Sequence, residues 1–269
     1  KNSPNYSANL YTTNYDGMFA HCVDHLLQTN EINLILNDGT VGLTKKILQP
    51  RSFGYHVIDH GHFANYEFRI PQINLIQPHG SLYWYHEDNI IQVNYNPEKA
   101  KDRVNAIPDL TTKCFNDLLE DEHANDEHLT VEKYNITNCG CINLFWKRYQ
   151  NIPIVNPTKW KFHETVFEEH YYQSLRVLNY ELERKDSVLI VFGFSFADEH
   201  ILSLLKLKLS NQKLMVFICC FDNSEKERIQ KQLSNYNNVS FVMTDDNTPL
   251  NFHQFNKSVL TVNEAANDD

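Results

Sequence analysis

Apolar residues fall into short continuous runs separated by stretches of three-to-four periodicity, most clearly in the second half of the chain. The runs "VLIVFGF" at 188–194 and "LMVFICCF" at 214–221 are too short to span a bilayer. They predict buried strands over 187–193 and 213–221, with another at 239–243, and helices between them over 198–209 and 224–234. Upstream, Phe167, Tyr171, Leu175, Leu178 and Leu182 make an apolar stripe within 163–185, the pattern of a long core helix. Continuous apolar strands alternating with amphipathic helices predict an α/β protein, with a parallel sheet covered by helices on both faces. Ligands bind such sheets at the carboxyl ends of the strands.

The first half carries the same signals less cleanly. A strand is expected over 8–14, then a helix over 16–28 with Phe19, Val23, Leu26 and Leu27 on its apolar face. Residues 29–71 are mixed, with Gly39, Gly42, Gly54 and Gly61 marking loops and short strands. A strand over 73–77 precedes an alternating segment, 82–95, that predicts a hairpin around Glu87-Asp88-Asn89. From 98 to 150 the chain is richer in charge, as in "LLEDEHANDEHLT" at 118–130, and reads as a small helical insert with a mobile acidic loop. A strand returns at 151–157. The organisation expected is a core in two parts, 1–97 and 151–269, around an insert at 98–150.

Composition narrows the function classes. The 269 residues are 42% hydrophobic and 22% charged, ordinary for a soluble globular protein. A formal charge of −10, with no basic cluster longer than "KWK" at 159–161, argues against direct, non-specific nucleic-acid binding. The opening "KNSPNYSANL" has no apolar leader segment, so no membrane association is expected. It also lacks an initiator Met, which points to a trimmed version of a longer protein. Six irregularly spaced cysteines fit reduced thiols and a cytoplasmic location.

Three predicted strand ends carry residues suited to chemistry. "TTNYD" at 12–16 offers four polar side chains just before a helix, although Asn14 or Asp16 capping that helix accounts for them equally well. His79 sits between Pro78 and Gly80 after the 73–77 strand; taken alone it is a turn histidine. In "VFGFSFADEH" at 191–200, Gly193 lets a ligand approach the backbone. Ser195 is spaced to cap the next helix, with Asp198 at the third position. Asp198 and Glu199 would repel a phosphate at that helix end, so ribose or adenosine suits it better than pyrophosphate.

The segments "TTNYD", "PHGS", "IVNPTK" (154–159) and "FGFSFADEHI" together resemble, in order and rough spacing, the sirtuin-like domains of bacterial anti-phage defence proteins. The likeness covers roughly 8–222. It implies a Rossmann-like parallel sheet and an NAD+ glycohydrolase that releases nicotinamide and ADP-ribose, its setting abortive infection. By that resemblance Asn14 holds the nicotinamide ribose and the attacking water, Asp16 helps to seat the nicotinamide, and His79 is the general base. Thr12 and Thr13 join them in the cofactor site, while Gly193, Phe194 and Ser195 contact the adenosine side and Asp222 the adenine ribose. NAD is the substrate. The implied partners are further copies of the chain, a translocase ATPase or an Argonaute-type protein.

Two departures from the family stand beside these expectations. The Gly-rich dinucleotide-binding unit that opens a sirtuin is missing, since none of the eight glycines forms a G-x-G. In place of the paired C-x-x-C zinc motif the insert holds Cys114, Cys139 and Cys141, with His123 and His128. Cys139-Gly140-Cys141 is awkward spacing for one tetrahedral ion, so no metal is expected. An NAD-dependent protein deacylase or ADP-ribosyltransferase, and a non-catalytic nucleotide-binding assembly subunit, are the competing readings. The helix stripe and Tyr83-Trp84-Tyr85 also suggest more apolar surface than one trimmed sheet covers, hence an oligomer or a larger complex.

Overall fold

The computed structural model describes residues 7–61, 67–88, 90–104, 140–155, 165–244 and 248–261. It divides into two compact units, Lys1–Ser174 and Leu175–Asp269. Both units are α/β, and each contains a parallel sheet.

In the first unit, β1 (Ser7–Tyr11) leads into α1 (Met18–Gln28), followed by β2 (Ile35–Asn37), β3 (Thr40–Val41), β4 (Lys46–Leu48), β5 (Ile58–Asp59), β6 (Phe68–Arg69) and β7 (Gln72–Ile76). Strands β1, β7 and β2 form a parallel sheet in that order, with β7 central and Leu75 and Ile76 almost fully buried. Polar residues are buried here too, and they are paired. Gln72 donates to Asn74 (2.7 Å), and Asn74 donates to Asn9 across the strand pair (2.7 Å), which removes the cost of burying unsatisfied amides.

The expected hairpin is β8 (Trp84–Glu87) and β9 (Ile90–Val93), turning at Asp88 with φ 51°. It extends an antiparallel sheet, β3-β4-β9-β8, whose core is Leu48, Trp84, Ile91 and Val93. Trp84 is therefore covered within the chain and adds nothing to the apolar surface. Of the expected insert, α2 (Pro97–Val104) and α3 (Gly140–Tyr149) are helical, while the acidic segment 118–130 lies outside the described residues. Of the strand expected over 151–157, the described residues 151–155 hold one bridge, Ile154 with Gly80, and 156–157 lie outside the described residues. Pro153 supplies no amide donor to continue a ladder.

Helix α4 (Thr165–Glu183) follows, with Tyr171, Leu178 and Leu182 buried as the stripe requires and Leu175 partly so; the side chain of Phe167 lies outside the described set. The second unit continues with β10 (Val188–Phe192), α5 (Glu199–Lys208), β11 (Met215–Cys219), α6 (Asn223–Leu233) and β12 (Val239–Val242). Its sheet is parallel in the order β10-β11-β12. Leu214, Val216, Ile218, Ile229 and Leu233 are each at most 2% exposed and form its interior. Val188, Ile190 and Met215 remain 60%, 43% and 51% exposed, so part of the open apolar surface of this unit lies on its sheet.

Candidate functional site

Strands β1 and β7 run parallel in register to their last residues, Tyr11 beside Ile76. The segments that leave them therefore emerge side by side at one sheet edge, and hydrogen bonds join the two. The Thr12 amide donates to the Ile76 carbonyl (3.0 Å). The Tyr15 carbonyl accepts from the Ser81 hydroxyl (3.0 Å) and from the Leu82 amide (2.9 Å). The Gln77 amide group donates to the Asp16 carbonyl (3.2 Å).

A third segment closes on the same place. The Val155 amide donates to the His79 carbonyl (2.9 Å), and the Tyr15 hydroxyl donates to the Val155 carbonyl (2.6 Å). Burial, then the neighbouring Tyr149, pushes the Tyr15 phenol upward, so it stays a donor.

The turn itself depends on Gly80. Its amide donates to the Gln77 carbonyl (3.0 Å), and its φ of +82° is left-handed. A Cβ there would run into the Pro153 carbonyl.

These bonds use backbone groups and buried side chains such as Gln77 and Ser81. Thr12, Thr13 and His79 are half-buried, and Asn14 and Asp16 are exposed at the same edge. The His79 ring lies 6.2 Å from that of Tyr171. Capping explains little of the segment: Gly17 occupies the N-cap of α1 without a side-chain bond, and the Asp16 carboxylate accepts the Met18 amide (3.0 Å). Asn14 does not cap; its own amide donates to the Thr12 hydroxyl (3.2 Å).

Beneath the turn lies a residue that sequence reasoning passed over. His170 on α4 is 3% exposed, its Nε2 is 3.3 Å from the Gln77 carbonyl, and its ring meets Trp84 edge-on at 4.7 Å. The Ser174 hydroxyl donates to the His170 carbonyl (2.9 Å). With that proton engaged, Nε2–H is the donor toward Gln77. Burial drives the His170 imidazole from 6.5 down to about 4, against the opposing pull of the Gln77 bond.

The unfolded chain thus takes up a proton below pH 6.5 that the folded chain refuses. Stability is full above 6.5 and falls as the pH drops toward 4, by on the order of 3 kcal/mol for the whole shift. Urea unfolding at a series of pH values should show this decline, and His170→Asn should lack that share of it. Parallel curves for the two proteins would refute the assignment.

In the second unit, Phe192 pairs with Cys219, so the exits of β10 and β11 also lie side by side. Gly193 (φ 63°) and the buried Phe196 (φ 57°) are both left-handed, and such strain in a non-glycine residue marks functional sites. Phe194 packs edge-on against Phe196 at 5.0 Å. Ser195 is exposed, and its carbonyl accepts from Arg228 (2.8 Å), a contact absent from the sequence reading. Ser195 is not the cap of α5. Asp198 is, accepting from the His200 and Ile201 amides, because the helix starts one turn later than the Ser195 spacing supposes. Asp222 caps α6 through the Glu225 amide (2.8 Å), which gives it a structural duty at the β11 exit.

Thr12, Thr13, Asn14, Asp16 and His79 thus gather at one edge in the first unit, and Gly193, Phe194, Ser195 and Asp222 at one edge in the second. Among the described residues there is no cluster of His, Cys, Asp or Glu able to hold a metal ion. Cys114, His123, His128 and Cys139, and the side chain of Cys141, lie outside them. No protein-family model matches the chain, and no curated protein matches it.

Proposed function

We propose that the chain is an NAD+ glycohydrolase built on a Rossmann-like core, acting in anti-phage defence by depleting NAD+. The observation that carries the reading is the meeting of residues 12–16 with the 78–80 turn at the carboxyl ends of adjacent parallel strands. That is where open α/β sheets bind nucleotides. Cleaving the nicotinamide–ribose bond passes through an oxocarbenium-like sugar. The cationic nicotinamide leaves readily, so the site needs polar groups to hold the ribose and water, and a base. In this reading Asn14 holds the ribose and the water, Asp16 seats the nicotinamide, and His79 accepts the proton. Gly193, Phe194, Ser195 and Asp222 serve the adenosine half.

No described helix is long and apolar enough to cross a membrane. A cytoplasmic setting and assembly into homo-oligomers, or with a translocase ATPase or Argonaute-type protein, belong to the same proposal. The exposed apolar side chains of β10 and β11 support the assembly part.

The test is incubation with NAD+ in the absence of acylated peptide, with products separated by chromatography. Equal amounts of nicotinamide and ADP-ribose are expected. A protein inert until peptide is added, then yielding an O-acyl product, would be a deacylase and would end this reading.

A further inference from the structure

Exposure alternates along the first strand exit: Asn14 and Asp16 are exposed, and Tyr15 between them is half-buried. Tyr15 is bonded to the chain on both sides of the His79 turn. Its carbonyl accepts from the Ser81 hydroxyl (3.0 Å) and the Leu82 amide (2.9 Å), the residues that follow the turn. Its phenol donates to the Val155 carbonyl (2.6 Å), and the Val155 amide donates to the His79 carbonyl (2.9 Å). One side chain thus reaches the backbone of His79 through a single intervening residue. The Tyr15 carbonyl is held twice, so it tolerates the loss of one donor. The link from Tyr15 to Val155 rests on the phenol alone among the described residues.

We infer that Tyr15 is a positioning residue for NAD+ cleavage: its hydroxyl, acting through Val155, sets the spacing between Asn14 and His79. The inference rests on the NAD reading, in which Asn14 holds the ribose and the water and His79 accepts the proton. Attack on the ribose needs both groups placed about one carbon, and a misplacement of about 1 Å costs up to ~10²-fold in rate. Removing the phenol oxygen leaves Asn14 and His79 chemically intact but unfastens residue 155 from the segment that carries Asn14. None of the bonds made by Tyr15 involves Gly193, Phe194, Ser195 or Asp222, so the grip on the adenosine half is kept. A loss of this kind falls on kcat and spares KM.

Steady-state nicotinamide release from NAD+ by the whole chain, measured beside thermal unfolding, tests this. Tyr15→Phe should fold and lose roughly 10–50-fold in kcat, with KM changed by less than about threefold. Placing 4-aminophenylalanine at position 15 restores a donor at the ring's para position and should recover most of kcat. Tyr85→Phe is the control, because it removes a phenol bond of the same kind, to the Gln92 side chain (2.7 Å), in the antiparallel sheet. Its kcat should stay within about twofold of the unsubstituted chain. A folded Tyr15→Phe protein with undiminished kcat, or with a loss confined to KM, would overturn the inference. So would an equal loss of kcat in Tyr85→Phe, no recovery with the amino analogue, or a Tyr15→Phe chain that does not fold, each of which makes the phenol an ordinary structural support. Those outcomes leave the NAD reading standing, whereas an unsubstituted chain that leaves NAD+ intact ends both.

Discussion

Replacing His79 with alanine should leave a folded protein whose rate of NAD+ cleavage has fallen by about 10²–10⁴-fold, the usual worth of general-base assistance. The fold should survive because the half-buried side chain is not part of the core, and the bonds that hold the turn run through the His79 carbonyl. Asn14→Ala should lose activity similarly, since its side chain is exposed and its amide bond to Thr12 does not involve the carboxamide. Nicotinamide release, measured beside thermal unfolding, separates chemistry from stability. Undiminished cleavage by a folded His79→Ala protein would return this residue to an ordinary turn histidine.

The second large effect is on stability. Gly80→Ala should destabilise the first unit by about 3 kcal/mol. An L-residue in the left-handed region costs ~1–2 kcal/mol. The added methyl also collides with the Pro153 carbonyl, displacing the bonds that tie Val155 and Ile154 to the turn, each worth ~1 kcal/mol. Gly54→Ala is the matched control: no atom lies within 4 Å of its added methyl, and a change below ~0.5 kcal/mol is expected. Equal urea midpoints for the two variants would contradict the role given to Gly80.

The elements that the sequence made legible are those with strong period or continuous apolarity. β10, β11 and β12 and the helices between them fall within a residue or two of their expected places, because nothing in "VLIVF" or "MVFIC" competes with burial. The hairpin at 84–93 was equally readable from its alternation. The site was legible as segments and not as joints. That His79 and Asp16 leave neighbouring strands follows from the order β1-β7-β2, which no local pattern encodes.

His170 shows the limit most clearly. A histidine on the inner side of a helix looks polar in a periodicity count, yet it is nearly the most buried ionisable group in its unit. The Ser195 cap failed for a related reason: Ser195 and Asp198 are both good caps, and the choice between them depends on where the strained loop at Gly193 and Phe196 lets the helix begin.

The pinning of Ile154 and Val155 to the turn at His79 and Gly80 has a consequence for how this chain can vary in length. The polypeptide leaves the antiparallel sheet after Val93 and is fastened again at Ile152–Val155, against residues that precede its departure. Both described ends of the stretch between these anchors are thus tied to the first unit's sheets. Closing a flexible connection costs only about 0.6 kcal/mol more for each doubling of its length. Insertions, deletions or a grafted foreign module between α2 and α3 should therefore leave the sheet edge intact, whereas a single residue gained or lost between Ile152 and Val155 would shift the bridge to Gly80 out of register.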